Sequence, residues 1–297
     1  MINPRSFLFV PGDSERKMAK GSASAAHALV LDLEDSVAAE RLPEARQTVR
    51  NFLQANTDRD RQQLWVRINP LDSDKALDDL AQVVAGAPDG VLLPKCVSGA
   101  EIVTLDHYLT ALERREGVAQ GSIKIISVAT ETAAAMFELG SYRNVSARLY
   151  GLTWGAEDLA TALGASTNKA PEGGAYAFAY QMARNLCLMG SKAAGVQPID
   201  TVQPNFRDNE GLVTEVRIAR QDGFTAKFAI HPDQVAGINA GFQPDAKEIE
   251  KAQAIVAAFK ASDARGTVQV NGMMVDKPHL TQALQILAAA GIAADAP

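Results

Sequence analysis

The chain is poor in the residues that mark disulfide-rich proteins and cysteine or histidine metal sites. Only two of its 297 residues are cysteines, Cys96 and Cys187, and each lies in an apolar context. Two cysteines cannot build a disulfide framework or a cysteine-rich zinc site, and such usage is typical of a reducing compartment. The four histidines stand far apart, at positions 27, 107, 231 and 279, so no histidine metal cluster is expected either.

Positive charge and long apolar runs are also scarce. The chain has 29 Lys and Arg residues against 35 Asp and Glu residues, and its net charge of −6 disfavours broad contact with nucleic acid or an anionic membrane. The segment MINPRSFLFVPG contains one short apolar run that Pro11 and Gly12 end, too short for a signal peptide or a membrane span. We therefore expect a cytoplasmic protein whose partner is a small molecule.

Motifs of several large enzyme classes are missing from the sequence. There is no G-x-S-x-G nucleophile elbow, which argues against a serine hydrolase. There is also no glycine fingerprint of the dinucleotide or Walker type. Hydride transfer and nucleotide hydrolysis therefore lose support.

The sequence does contain a regular alternation of strand-like apolar runs and amphipathic segments of helix length. This alternation is typical of βαβ units around a parallel sheet. Eight strands, each with a following helix, predict a TIM (β/α)₈ barrel over residues 1–242. The predicted strands are Ser6–Val10, Ala28–Leu33, Leu64–Ile68, Gly90–Leu93, Lys124–Val128, Arg148–Thr153, Pro198–Val202 and Ala226–Ile230.

Residues 243–297 follow a different pattern and predict a C-terminal extension. We expect a helix over 245–260, a short hairpin around Asn271 and Gly272, and a last helix over 278–290. This segment is too long to be a barrel helix alone. It would pack on the barrel or reach a neighbouring subunit.

Two carboxylates mark the predicted functional site. Glu131 and Asp158 follow the fifth and sixth strands, and the carboxyl ends of neighbouring parallel strands lie on one rim of a barrel, where catalytic residues sit. Two carboxylates with open positions suit Mg²⁺. The alternative is that both are acids near helix N-termini, where the helix dipole favours them. The same rule selects a wider set of polar residues: Asp32, Glu34, Asp35, Arg67, Asn69, Lys95, Asp200, Gln203 and His231.

Three further residues have both a functional and a structural interpretation. Arg67, in WVRIN, could bind a substrate carboxylate with its fork of donors, and it could equally form a salt bridge with Glu34 or Asp35. Lys95 is a second candidate for anion binding, or a partner for the acidic loop. Asp276, between a strand and a proline-started helix, has the position of a helix cap.

Seven motifs, in order along nearly the whole chain, resemble the citrate lyase β-subunit-like group of the HpcH/HpaI aldolase superfamily. They are RSFLFVPG, VLDLEDSV, WVRINP, VLLPK, ISVATETAAA, YGLTWGAEDLA and FAIHPDQ. The resemblance implies a (β/α)₈ barrel that assembles as a trimer or hexamer and uses Mg²⁺ to make or break a carbon–carbon bond beside a thioester carbonyl. It implies that Glu131 and Asp158 are the metal ligands, that Arg67 holds the substrate carboxylate, and that Glu131 also touches the substrate.

The tail segment GMMVDKPH resembles that of stand-alone malyl-CoA and citramalyl-CoA lyases. In those enzymes an aspartate from a neighbouring subunit acts as general acid and base, and Asp276 is the matching position, in cis or from a neighbour. The tail favours a CoA thioester over an acyl carrier protein.

The resemblance thus implies a Mg²⁺-dependent carbon–carbon lyase. Its substrate would be a 3-hydroxy-3-carboxy acyl-CoA such as citryl-, malyl- or citramalyl-CoA, and its products a 2-oxo acid and an acyl-CoA. Three alternatives stay open: a class II aldolase acting on a free 4-hydroxy-2-oxo acid, a malyl-CoA thioesterase, and a subunit inactive without a partner. The motifs do not specify the acyl group, the direction of the reaction or the residues that bind CoA.

Overall fold

A computed structural model of the protein describes residues 3–171, 174–262 and 266–294. Its Cα positions divide into two compact units, Pro4–Asn239 and a second one that begins at Ala240. In the first unit eight parallel strands close into a barrel in which each strand pairs with the next and β8 pairs with β1. The predicted (β/α)₈ barrel is confirmed. Its strands are β1 (Ser6–Pro11), β2 (Ala28–Asp32), β3 (Gln63–Arg67), β4 (Gly90–Leu93), β5 (Lys124–Val128), β6 (Leu149–Thr153), β7 (Gln197–Asp200) and β8 (Ala226–Ala229).

Some helices of this unit begin or end at residues that cap them. Ser14 caps the first helix and accepts a hydrogen bond from the N–H of Lys17 at 3.4 Å, as Asp208 does for Gly211 at the seventh, and Gly117 ends the fourth with a φ of +71°. The helices are α1 (Glu15–Ser22), α2 (Leu42–Ala55), α3 (Ala76–Val83), α4 (Gly99–Glu116), α5 (Ala156–Leu163), α6 (Phe178–Ala194), α7 (Asn209–Asp222) and α8 (Pro232–Gly241). None of the helices in the described ranges is long and apolar enough to cross a membrane.

Large side chains fill the interior of the barrel. Alternate residues of each strand point inward, and ten of them form one buried cluster: Phe7, Ala28, Val30, Trp65, Leu92, Ile126, Val128, Ile199, Ala226 and Phe228. The Trp65 ring lies directly against Gly90, where a Cβ would come within 2.2 Å of its Cζ3 atom. The cylinder is therefore a packed core, and its carboxyl rim remains for the polar residues that follow the strands.

The segment between β5 and β6 departs from the sequence prediction. Its residues, all described, form two 3₁₀ turns, Ala135–Phe137 and Leu139–Tyr142, in place of an α-helix. The expectation of a helix after every strand is thus wrong for β5. Gly140 and the left-handed Asn144, φ +59°, fall inside this Ala-rich segment, and both disfavour a continuing helix.

The second unit contains the hairpin and helices that the tail predicts. Asp245 caps α9 (Ala246–Ala261), and β9 (Thr267–Val270) pairs with β10 (Met273–Asp276) before α10 (Lys277–Ala289). Asn271 and Gly272 turn the hairpin with φ values of +51° and +79°. The unit has its own apolar core, to which Ile255, Phe259, Val275 and Leu287 belong.

Candidate functional site

Arg67 is fixed against Asp32 at the carboxyl end of the barrel. The two residues are register partners on β3 and β2. Nε of Arg67 donates to Oδ1 of Asp32 at 2.6 Å and Nη2 donates to Oδ2 at 2.7 Å, which is a bidentate pair. The guanidinium also lies over the Phe9 ring, 4.9 Å from its centroid. Arg67 is thus oriented before any ligand binds.

An acidic turn follows β2 and surrounds the same guanidinium. Nη1 of Arg67 lies 2.8 Å from Oε2 of Glu34 and 3.5 Å from Oδ2 of Asp35, so the predicted salt bridges are present. Burial acts to raise the pKa of Asp32, yet that pKa lies below its ordinary value because Arg67 donates to the carboxylate. The pKa of Glu34 is raised, chiefly by burial, although Arg67 and Lys95 oppose the rise. The turn concentrates negative charge beside one arginine.

Lys95 connects this turn to both predicted metal ligands. Its backbone N–H donates to Oε2 of Glu131 at 2.5 Å. Its ammonium donates to Oε1 of Glu34 and lies 3.4 Å from Oδ1 of Asp158. These carboxylates outweigh the effect of burial and hold the pKa of Lys95 above its ordinary value. The structure therefore brings Glu131, Asp158 and Glu34 around a single lysine at the barrel mouth.

Glu131 lies three residues beyond the end of β5 and is buried. Its side chain packs on Gly155, the residue before α5, where a Cβ would lie 2.8 Å from the Cγ atom of Glu131. Burial raises the pKa of Glu131 to about 8; the carboxylates of Asp158 and Glu34 add to the rise, and Lys95 opposes it. Asp158 lies in the first turn of α5 and is one third exposed. Gly155 is a site residue that the sequence analysis missed, although it lies within the TWGAEDLA motif.

These carboxylates fit a hard divalent cation. Within the described ranges, no group of three or more His, Cys, Asp and Glu side chains is arranged to hold a metal ion. Two carboxylates are nevertheless what Mg²⁺ commonly takes from a protein, since it keeps waters and substrate oxygens as its other ligands. Burial is the main cause of the raised pKa of Glu131, and the nearby carboxylates of Asp158 and Glu34 add to it; a bound cation would offset both effects. The donor set thus fits Mg²⁺ and does not resemble a zinc site.

Other rim residues serve the fold. Ile199 points into the barrel core, so Asp200 faces the helix layer, where its carboxylate bonds Trp154 Nε1 at 2.7 Å and Lys227 Nζ at 3.0 Å. His231 stacks on the Phe206 ring with centroids 4.6 Å apart. Asn69 donates to the backbone oxygen of Leu33 at 2.9 Å and to Asp79 Oδ2 at 2.8 Å, which secures the turn that carries Glu34.

Asp276 belongs to the second unit. It stands at the N-cap position of α10, as the local sequence predicts, and its Oδ1 is hydrogen-bonded to Nδ1 of His279. That hydrogen bond lowers the pKa of Asp276. Its side chain is about half exposed, at 48%. A carboxylate kept ionised at an accessible position can take up a proton from a bound ligand.

Comparison with known proteins gives the family. The sequence model of the HpcH/HpaI aldolase/citrate lyase family matches residues 5–232. A citrate lyase subunit beta from Haemophilus influenzae is 34% identical over 285 residues, which are 95% of each chain. A (3S)-malyl-CoA thioesterase from Cereibacter sphaeroides is 31% identical over 288 residues, 96% of this chain and 94% of that one.

The fold agrees with that of a solved relative. The crystal structure of the protein CitE from Mycobacterium tuberculosis, in complex with magnesium, acetoacetate and coenzyme A, superposes with a TM-score of 0.79. It is 31% identical and the match covers 97% of this chain and 98% of that one. The chain therefore belongs to the HpcH/HpaI aldolase/citrate lyase family.

Proposed function

We propose that the protein is a Mg²⁺-dependent carbon–carbon lyase. It cleaves a 3-hydroxy-3-carboxy acyl-CoA thioester, such as citryl-, malyl- or citramalyl-CoA, into a 2-oxo acid and an acyl-CoA, or forms the thioester from these two compounds. The observation that carries the proposal is that Glu131 and Asp158 both contact Lys95 at the barrel mouth, one at its backbone N–H and the other at its ammonium. The magnesium and coenzyme A in the related CitE structure support the same chemistry.

Glu131 and Asp158 would hold the metal, and Arg67 would hold the substrate carboxylate. When bound, Mg²⁺ would supply positive charge that offsets the charge of the substrate carboxylate and stabilises the hydroxyl oxygen as its proton leaves. Two hydrogen bonds to Asp32 engage Nε and one N–H of Nη2, and a guanidinium has five N–H groups in all. Nη1 of Arg67 lies 2.8 Å from Oε2 of Glu34, so a substrate carboxylate would bind the second N–H of Nη2 and share Nη1 with Glu34. Because the arginine is already fixed, little ordering is needed on binding.

Asp276 would move the proton at the α-carbon of the thioester. In cleavage, the 3-hydroxyl would lose its proton to solvent and its oxygen would become the carbonyl of the 2-oxo acid as the carbon–carbon bond breaks. The electron pair left on the α-carbon of the acyl thioester would then take a proton from the protonated form of Asp276. In synthesis the same group removes it. The hydrogen bond from His279 lowers the pKa of Asp276, so the carboxylate is ionised at neutral pH, the form that accepts the proton in synthesis.

We further propose that the protein is a trimer or hexamer in which Asp276 serves the barrel of a neighbouring subunit. Mixing two inactive variants, Glu131→Gln and Asp276→Asn, tests this proposal. If the tail acts on a neighbour, mixed oligomers contain some sites with both residues intact, and activity returns. If each tail acts on its own barrel, every site stays defective and the mixture stays inactive.

A malyl-CoA thioesterase is the second candidate, because the Cereibacter sphaeroides relative carries that activity in its name. Water would then attack the thioester and release CoA. A third hypothesis is that the protein is a subunit that needs a partner for activity, as the name of the Haemophilus influenzae citrate lyase subunit beta suggests. The length of the tail does not separate these readings, since the match to that subunit already covers 95% of this chain.

A product assay with purified protein separates the candidates. Citryl-, malyl- and citramalyl-CoA, and a free 4-hydroxy-2-oxo acid, are each incubated with Mg²⁺ or with excess chelator. The lyase proposal expects a 2-oxo acid in equal amount to acyl-CoA, a requirement for Mg²⁺, and at least a ~100-fold loss in Glu131→Gln, because one group would hold both cation and substrate. Free CoA without a 2-oxo acid would identify a thioesterase. Near-normal turnover of Glu131→Gln would contradict the assignment of that residue.

A further inference from the structure

Lys95 has a backbone conformation that lysine rarely adopts. It follows β4 and Pro94 with a φ of +52°, in the left-handed region that glycine and asparagine favour. In this conformation the N–H reaches Glu131, while the side chain runs to Glu34 and Asp158. The surrounding contacts therefore hold Lys95 in a strained geometry.

Through this geometry one residue touches both carboxylates that we assign to the metal. The backbone N–H binds Glu131 at 2.5 Å, and the ammonium lies 3.4 Å from Asp158 and 3.7 Å from Oδ1 of Asp35. The lysine side chain is 31% exposed, and that of Glu34 only 5%. A positive charge at such distances, partly shielded from water, interacts strongly with anything else that binds the same carboxylates.

We propose that Lys95 is the resident counter-cation of the carboxylate cluster and sets its affinity for divalent metal. The ammonium neutralises Glu34 and Asp158, and Mg²⁺ must compete with it for Asp158. The proposal rests on the assignment of Glu131 and Asp158 as metal ligands. Lys95 is in this view a positioning residue that tunes metal binding, and it need not contact the substrate.

Two consequences distinguish this role from substrate binding. Removing the ammonium removes a like charge from the neighbourhood of the metal, so Mg²⁺ should bind more tightly. The same change leaves the carboxylates without a counter-charge when metal is absent, so the metal-free protein should unfold at a lower temperature. A lysine that only contacts substrate would alter neither quantity.

The test compares Lys95→Met with Lys95→Arg. Methionine keeps the length of the side chain and the backbone N–H but carries no charge, and arginine keeps the charge. Mg²⁺ is titrated calorimetrically into each purified protein in the absence of thioester, and the thermal midpoint is measured with chelator and with saturating Mg²⁺. We expect Lys95→Met to lower the Kd for Mg²⁺ by ~10-fold or more. We also expect it to lower the thermal midpoint in chelator, and so to increase the rise in midpoint that saturating Mg²⁺ causes. Lys95→Arg should stay close to the wild type.

An unchanged or weaker Mg²⁺ affinity in Lys95→Met would overturn the proposal. Asp158→Asn is measured in parallel to separate this failure from a failure of the proposed metal site. If Asp158→Asn loses Mg²⁺ binding while Lys95→Met binds Mg²⁺ as the wild type does, the assignment of the metal site is supported and the proposed role of Lys95 is wrong. If Asp158→Asn binds Mg²⁺ normally, the site assignment itself is wrong. Lys95→Gly, which removes the ammonium and relieves the positive φ, replaces the methionine variant if that one does not fold.

Discussion

Asp32 and Arg67 face each other across neighbouring barrel strands and are joined by two parallel hydrogen bonds of 2.6 and 2.7 Å. Asp32 is almost fully buried, with 2% of its side chain exposed. A bidentate ion pair in such surroundings specifies an orientation as well as a charge. The finding indicates that the proposed substrate arginine is aligned by the barrel itself.

We predict that Asp32→Asn weakens substrate binding without a comparable loss of turnover. Asparagine offers one acceptor oxygen where the carboxylate offers two, so the guanidinium loses its fixed plane. The expected result is a KM for the hydroxyacyl thioester that rises ~10-fold, with a smaller change in kcat, as follows when uniform binding is lost. Glu116→Gln, which removes an exposed pair with Arg115, is the matched control and should leave both constants unchanged. A KM equal to that of the wild type would show that Asp32 does not orient Arg67 for the substrate.

Gly155→Ala should disable the metal site by steric means alone. The added methyl group would lie 2.8 Å from Cγ and 3.0 Å from Oε1 of Glu131, so the carboxylate must move. We expect Mg²⁺ affinity to fall by ~10-fold or more, since ligand misplacement of about 1 Å is costly, while the circular dichroism spectrum is retained. Gly140→Ala is the control, because a Cβ there meets no atom within 4 Å. Equal Mg²⁺ affinity in the two variants would contradict the close packing of Gly155 on Glu131.

Asp276→Asn should stop proton transfer and spare metal binding. The amide cannot accept a proton at neutral pH, so the exchange of acyl-CoA α-hydrogens into deuterated water should fall by ~100-fold or more. The Kd for Mg²⁺ should stay as in the wild type. Asp245→Asn is a close control, since Asp245 also caps a helix of the second unit and accepts from Glu248 N–H at 2.8 Å. Comparable losses of exchange in both variants would mean that Asp276 acts only as a helix cap.

A second buried ion pair should govern stability in acid. Oδ2 of Asp200 lies 3.0 Å from Nζ of Lys227, and both side chains are at least 95% buried. Burial acts to raise the pKa of Asp200, but Lys227 and Arg184 hold it below its ordinary value. An acid with a lowered pKa in the folded state stabilises the fold above the unfolded-state pKa, and this contribution is lost as the pH falls below ~4.

Asp200→Asn should therefore lower the free energy of unfolding by about 3 kcal/mol at pH 7, because it leaves a buried lysine without this partner. The difference from the wild type should shrink as the pH approaches 3. Urea titrations at a series of pH values measure it. A difference that stays constant with pH would show that the charge of Asp200 does not contribute.

The sequence predicted the barrel because the pattern of its apolar runs has a simple cause. A strand buried on both faces must be nearly all apolar, and polar residues must follow its carboxyl end, where the chain reaches the rim of the barrel. The same reasoning placed Glu131 and Asp158 on one rim, and the structure brings both to Lys95. Their roles as metal ligands remain a prediction.

Other features depend on direction and register, which composition does not reveal. The bidentate pairing of Asp32 with Arg67 follows from the register between two strands, and the sequence predicted only Glu34 and Asp35 as salt-bridge partners of Arg67. Asp200 was selected as a candidate site residue because it lies at the carboxyl end of a strand. Side chains alternate along a strand, however, and Asp200 faces the helix layer. The Ala-rich run after β5 satisfies helix propensity, but tertiary packing and the conformation of Asn144 overrule it.

The rings of Phe7, Trp65 and Phe228 pack against one another inside the barrel. Because these rings fill the interior, a ligand would reach the carboxylates from the carboxyl rim of the barrel, and the products would leave by the same rim. For the proposed reaction, which would yield one small acid and one long thioester, a shared exit imposes an order on the release of the two products. The product bound deeper in the barrel mouth would dissociate only after the product nearer the opening. Product inhibition should therefore follow an ordered pattern.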